Sequence, residues 1–158
     1  MEYFYSIYSH GLVRIAACTL PVIPAQPRKN AELIAQVAKE CSDEGVALAL
    51  FPELSLTGYA IDDLLLQDTL LTSTLEALNW LRAATSRVFS VVVVGAPLVK
   101  GNRLYNCAVV LHRGRVLGVV PKSYLPNYRE FYEKRHFAAG DDQRGEQIEL
   151  PGIETWPL

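Results

Sequence analysis

Three charged side chains in this sequence stand where they could move a proton and hold a developing negative charge. Glu53 lies in Phe51-Pro52-Glu53-Leu54-Ser55-Leu56-Thr57-Gly58-Tyr59, directly after the apolar run Val46 to Phe51, which reads as a central strand. In open α/β sheets ligands bind outside the C-terminal ends of the strands. A carboxylate partly desolvated there is drawn toward the protonation range of a general base. The local pattern equally allows Glu53 to cap the turn or to pair with a surface lysine. Lys122 opens the segment Lys122-Ser123-Tyr124-Leu125-Pro126-Asn127-Tyr128-Arg129-Glu130-Phe131-Tyr132-Glu133 and follows another strand end. It could project to the same edge as Glu53 and stabilise an oxyanion. Glu130, eight residues on, is placed to fix the ammonium by a charge-assisted hydrogen bond. Tyr124, Tyr128, Phe131 and Tyr132 could wall a small polar pocket. Taken alone, this segment reads more simply as a Pro-rich surface loop with a solvated lysine.

The elements that must position these groups alternate. Leu12 to Cys18 reads as a buried strand, and the Pro-punctuated stretch after it as a loop. Asn30 suits an N-cap, Ile34, Val37, Ala38 and Cys41 share one helical face, and Gly45 suits the helix end. Ser73 and Glu76 have capping-box spacing and open a second helix through Leu75, Leu78 and Leu81. Ser90 to Ala96 is the strongest strand, and Arg103 to His112 with Arg115 to Val120 form a hairpin around Arg113-Gly114. The order is β-α-β-α-β-β-β: an α/β chain with a mixed sheet and helices on at least one face. Gln147 to Leu150 could start another strand, and the closing Trp156-Pro157-Leu158, with no element to end the domain, reads as a cut.

The chain has 158 residues, a formal net charge of −2 and half its residues hydrophobic. One globular domain is expected and disorder is excluded. With 15 basic against 17 acidic residues and no basic run, nucleic-acid binding is disfavoured. No stretch is apolar enough to span a bilayer, and Met1 to His10 lacks the pattern of a signal peptide. Cys18, Cys41 and Cys107 cannot all pair and form no CxxC, which points to free thiols in a reducing, cytoplasmic setting. Cys107, in the interior of a period-2 strand, reads as packed and inert rather than nucleophilic. Cys18 and Cys41 read as core. His10, His112 and His136 show no metal-ligand spacing. Asp62-Asp63 reads as an N-cap with a dipole-favoured acid, and Asp141-Asp142 as a solvated turn.

Together, the Glu53 and Lys122 segments resemble the carbon–nitrogen hydrolase (nitrilase) superfamily. FPELSLTGYAIDDLLLQ, YNCAVVLHRGRVLGVVPKSYLPNYREFYEKRHF and VRIAACT are most similar to the glutaminase domain of glutamine-dependent NAD synthetases, over roughly Tyr3 to Asp142. The resemblance implies a nitrilase-like αββα sandwich, with residues 1–158 forming roughly its N-terminal half, and a Glu-Lys-Cys triad. Glu53 then matches the general base, Lys122 the stabiliser of the tetrahedral intermediate, and Glu130 a supporting glutamate that orients the lysine. Tyr128 matches a glutamine contact. The implied reaction hydrolyses the glutamine side-chain amide and supplies ammonia for ATP-dependent amidation of deamido-NAD to NAD. ATP and Mg are expected at the synthetase domain only, with no cofactor or metal in this part. A homo-oligomer is implied as well.

The sequence departs from that pattern in one respect. The family's nucleophilic cysteine follows a further strand, and no cysteine lies between Lys122 and Leu158. A synthetase domain and its Gly-rich loop are also absent. Residues 1–158 are therefore expected to be inactive alone. Two alternatives remain open: another nitrilase-type amidase without a synthetase partner, and a non-catalytic nitrilase-like module for oligomer contacts or ligand binding.

Overall fold

The structure, a computed structural model, describes residues 2–157, with the side chains of residues 4–153. Five strands form one sheet in chain order: β1 (Ile15–Ala17), β2 (Leu48–Leu50), β3 (Val91–Lys100), β4 (Arg103–His112) and β5 (Arg115–Pro121). The pairs β1–β2 and β2–β3 are parallel, and β3–β4 and β4–β5 antiparallel, so the mixed sheet read from the sequence is correct. Helices α1 (Pro27–Asp43) and α2 (Asp68–Ala84) provide the crossovers that parallel strands require. The β4–β5 turn falls on Arg113 and Gly114, both at positive φ (47° and 76°), the conformation that lets a two-residue hairpin follow the twist of its strands.

One face of the sheet is covered. Ile34 and Ala38 of α1, with Leu78 and Leu81 of α2, pack on Val92, Val94, Val109, Leu111, Val116 and Val119 in a single core. Because strand side chains alternate, the same strands send a second apolar set to the other face. The register lines up Ile15 with Leu48 and Val91, and Leu50 with Val93 and Val110. Ile15 is 69% exposed, Val120 60% and Leu50 47%. The molecule is thus a helix layer on a sheet whose far side is apolar and uncovered.

Several boundaries differ from the sequence reading. The first strand is confined to three residues at the sheet edge, and Leu12 and Val13 ahead of it are exposed. Helix α1 starts three residues before Asn30, with Pro27 in the first turn, where its missing N–H costs nothing. Asn30 does not cap. Its buried carboxamide accepts from Ile23 N and donates to the carbonyls of Ile23 and Leu56 (2.8–2.9 Å), tying the loop after β1 to the Glu53 segment. Helix α2 starts at Asp68, whose carboxylate favours the N-terminal end of the dipole. Ser73 lies in its interior, so the capping-box spacing there is coincidental. The chain beyond Gly140 forms a separate hairpin, β6 (Gln147–Leu150) with β7 (Ile153–Pro157). Its Ile148 and Leu150 extend the helix-side core, so the strand read at Gln147 to Leu150 is present, and β7 follows where the sequence reading gives no closing element.

Candidate active site

Glu53 is delivered by a tight turn that crosses β3 at contact distance. The crossing needs glycine. A Cβ on Gly95 would lie 2.1 Å from the nitrogen of Leu54 and 2.7 Å from the carbonyl carbon of Glu53. Two hydrogen bonds fasten the crossing: Gly95 N donates to Ser55 Oγ (3.1 Å), and Leu56 N to the Gly95 carbonyl (3.1 Å). Immediately after Glu53, Leu54 is held at φ 49°, a left-handed conformation costly for a side chain with a Cβ. Such strain persists where the surroundings over-determine it, and here the buried Leu54 side chain does so.

Lys122 leaves the end of β5 with both its backbone groups fixed. Its N–H donates to the Asn106 carbonyl (2.8 Å), and its own carbonyl accepts from Gly140 N (3.0 Å). The two sheet-end residues meet: Lys122 Nζ donates to Glu53 Oε1 at 2.7 Å and to Glu133 Oε1 at 2.9 Å. Burial alone pulls the Lys122 ammonium toward deprotonation. The hydrogen bonds and opposite charges of Glu53 and Glu133 outweigh it and hold the group charged above its ordinary range.

The second carboxylate is therefore Glu133, not Glu130. The loop explains the substitution. Arg129 turns at φ 54°, Phe131 N donates to the Tyr128 carbonyl, and Glu133 N donates to the Pro126 carbonyl. This folds the chain back so that Glu133, 4% exposed, points inward. Glu130 lies in the wall of an adjoining cavity of about 150 Å3 with Tyr59, Phe131 and His136. Tyr59 OH donates to the Glu133 oxygen that also accepts from Lys122 (2.7 Å). Burial, then that bond, holds the Tyr59 phenol protonated above its usual range. The other oxygen of Glu133 is buried without a hydrogen-bond partner among the described residues.

Asn106 of β4 completes the cluster, its side-chain Nδ2 donating to Glu53 Oε1. Its neighbour Cys107 therefore faces the opposite side of the sheet. It packs in the helix-side core at 2% exposure, where burial pushes its thiol up to about 12. Cys18 and Cys41 have their sulfurs 3.9 Å apart at the margin of that core, and burial followed by Cys41 pushes Cys18 up to about 11. None of the three presents a thiolate to Glu53.

Tyr128 is 64% exposed and meets the ring of Phe131 edge-on, and Tyr124 is exposed outright. Of the aromatics expected around a pocket, Phe131 and Tyr132 line the cavity beside Glu133, with Tyr59. Asp62 and Asp63 hold this loop in place. Tyr132 OH donates to Asp62, and Arg135 and His136 bond Asp63. The Arg135 hydrogen bonds, then that of His136, keep the Asp63 carboxyl far below the ordinary carboxylate range. Likewise Asp142, expected as solvated, pairs with Arg103 at 2.8 Å. Among the described residues no group of three or more His, Cys, Asp or Glu could hold a metal ion, and no helix is long and apolar enough to cross a membrane.

Glu133, Tyr59 and Asn106 escaped the sequence reading. Asn106 had only a partial signal, because counting from the turn without the bulge sets it against Pro121. Counting back from the Arg113-Gly114 turn pairs Cys107 with Pro121 once the bulge at Val110/Leu111 is allowed for, which sets Asn106 against Lys122.

Residues 14–154 match the carbon–nitrogen hydrolase family. The chain belongs to that family. It is 56% identical over 152 residues to a glutamine-dependent NAD(+) synthetase of Mycobacterium tuberculosis, a match covering 96% of this chain and 22% of that protein. It is 42% identical over 113 residues to the Aquifex aeolicus counterpart, covering 72% of this chain and 20% of that one. The chain spans about a fifth of the length of these curated relatives. Among solved structures, a glutamine-dependent NAD(+) synthetase from Cytophaga hutchinsonii superposes with a TM-score of 0.81 at 26% identity, over 91% of this chain and 24% of that one. An amidase of the nitrilase superfamily from Nesterenkonia shares the fold, with a TM-score of 0.69 at 24% identity over 90% of this chain and 53% of that one. The nitrilase-type fold that the resemblance implies is thereby established.

Proposed function

We propose that Glu53, Lys122 and Glu133 are the proton-transfer, oxyanion-stabilising and lysine-orienting groups of a glutamine amide hydrolase that supplies ammonia for NAD synthesis. The observation that carries this reading is Lys122 Nζ held between two carboxylates at the sheet end, 2.7 and 2.9 Å from them. The similarity to glutamine-dependent NAD synthetases supplies the substrate. In the reaction Glu53 takes the proton of a cysteine thiol as the sulfur attacks the amide carbon. Lys122 faces the negative charge that forms on the amide oxygen. Glu53 returns the proton to the nitrogen, ammonia leaves, and water cleaves the thioester to glutamate.

The thiol is supplied from outside residues 1–158. Cys107 is turned away and too weakly acidic to serve. An apolar cleft floored by Val93, Gly95 and Ala108 adjoins Glu53, Asn106 and Lys122 on the uncovered sheet face, giving a thiol-bearing segment room to lie there. Deamido-NAD, ATP and Mg act at a synthetase step elsewhere in a longer, cytoplasmic and oligomeric protein.

The test uses the protein that carries the thiol, assayed for glutamine hydrolysis. Glu53→Ala and Lys122→Ala are each expected to abolish turnover, and a diazo-ketone glutamine analogue to label one cysteine beyond Leu158. Residues 1–158 alone are expected to show no glutaminase activity and no labelling. A stoichiometric adduct on Cys107, or turnover surviving Glu53→Ala, overturns the reading.

A further inference from the structure

We propose that Asn106 is a positioning residue of this site, fixing which oxygen of Glu53 transfers the proton. The proposal deepens the amide-hydrolase reading and rests on it. Asn106 is a polar residue in the interior of an otherwise largely apolar strand, and it is 4% exposed. It touches both charged groups with different parts of itself. Its side-chain Nδ2 donates to Glu53 Oε1, and its main-chain carbonyl accepts the Lys122 N–H at 2.8 Å. One residue thus sets the separation of the two sheet-end groups.

The chemistry follows from what an amide nitrogen can do. Nδ2 has hydrogens to give and no lone pair to accept. Nδ2 is therefore the donor and Glu53 Oε1 the acceptor. Lys122 Nζ donates to the same oxygen at 2.7 Å. With two donors already on Oε1, the proton goes to Oε2. No hydrogen bond to Oε2 is present among the described residues, and the Glu53 side chain is 42% exposed. When the thiol S–H breaks, the O–H bond forms at Oε2. When the amide nitrogen leaves, that O–H breaks and its proton goes to nitrogen. Oε1 stays bonded to Asn106 and Lys122 through both steps, so the carboxylate does not rotate between them. The charged and titratable groups around Glu53 are Lys122 at the end of β5, Glu133 behind it and Tyr59 on the turn. Substituting Asn106 leaves all three in place.

The test compares Asn106→Leu, near in size but with no donor, and Asn106→Ser, which can donate directly or through one water, in the thiol-bearing protein. For Asn106→Leu, kcat is expected to fall roughly 30- to 100-fold with KM within about threefold, the pattern of an interaction used in the transition state. Diazo-ketone labelling of the thiol should slow in parallel. Asn106→Ser should recover part of the rate. Unchanged kcat in folded Asn106→Leu, or equal losses in both variants, overturns the proposal. Should Asn106→Leu not fold, Asn106→Ala, which also lacks the donor, takes its place, and kcat in it as in the parent overturns the proposal equally. If instead Glu53→Ala retains activity, the amide-hydrolase reading itself fails, a result distinct from either.

Discussion

At the scale of single residues, the charged groups that end strands were legible and the one inside a loop was not. Glu53 and Lys122 each follow a recognisable strand, and chain order alone places both at one edge of the sheet. Glu133 lies in a segment with no repeating pattern, where the backbone turn at Arg129 decides which carboxylate faces in. Proximity in sequence favours Glu130, and folding favours Glu133. The difference is measurable in the thiol-bearing protein. Removing the charge in Glu133→Gln leaves the Lys122 ammonium with one carboxylate in place of two, and its orientation loosens. Losing one charge-assisted hydrogen bond of about 1.5–3 kcal/mol predicts a fall in kcat of order 10- to 100-fold. Glu130→Gln should cost at least tenfold less. Steady-state glutaminase assays at a common pH decide it, and a larger loss for Glu130→Gln would restore the sequence-based assignment.

At the scale of elements, alternation and helical periodicity located the strands and helices, and cap signals misplaced helix starts. Ser73 with Glu76, and Asn30, have the right chemistry for caps. Pro27 and Asp68, with turns ahead of them, set the actual boundaries. The crossing of the Glu53 turn over β3 was invisible for another reason: it depends on two segments 40 residues apart approaching within a glycine's clearance. Gly95→Ala should therefore force the turn off the strand. Overpacking against backbone, which cannot rotate away, is expected to cost about 3 kcal/mol and to lower the urea midpoint and Tm accordingly. Gly118, in β5, is the control. A Cβ there meets nothing within 4 Å, so Gly118→Ala should change stability by less than about 1 kcal/mol. Equal effects at the two positions would mean that the Glu53 turn is not held by this contact.

At the scale of the whole molecule, the order of the strands was legible because each connection is a helix or a tight turn. The asymmetry of the sheet's two faces was not. Runs such as Val91-Val92-Val93-Val94 are apolar on both sides, so the sequence alone does not tell a covered face from an open one. In the structure the helices take one face and leave Ile15, Leu50 and Val120 exposed on the other, where Leu50 and Val120 line a cleft with Glu53 and Lys122. The nitrilase-like αββα arrangement provides a second sheet at that place, and the chain spans about a fifth of its curated relatives' length. A contiguous apolar face of this kind drives association when nothing covers it. Residues 1–158 are accordingly expected to self-associate in a concentration-dependent way by light scattering. Leu50→Lys combined with Val120→Lys should suppress that association while leaving the helical circular dichroism signal in place, because both side chains point away from the helix-packed core. A monodisperse monomer at high concentration before any substitution would show that the open face is not sticky. A covering second sheet would then have to be held by other contacts.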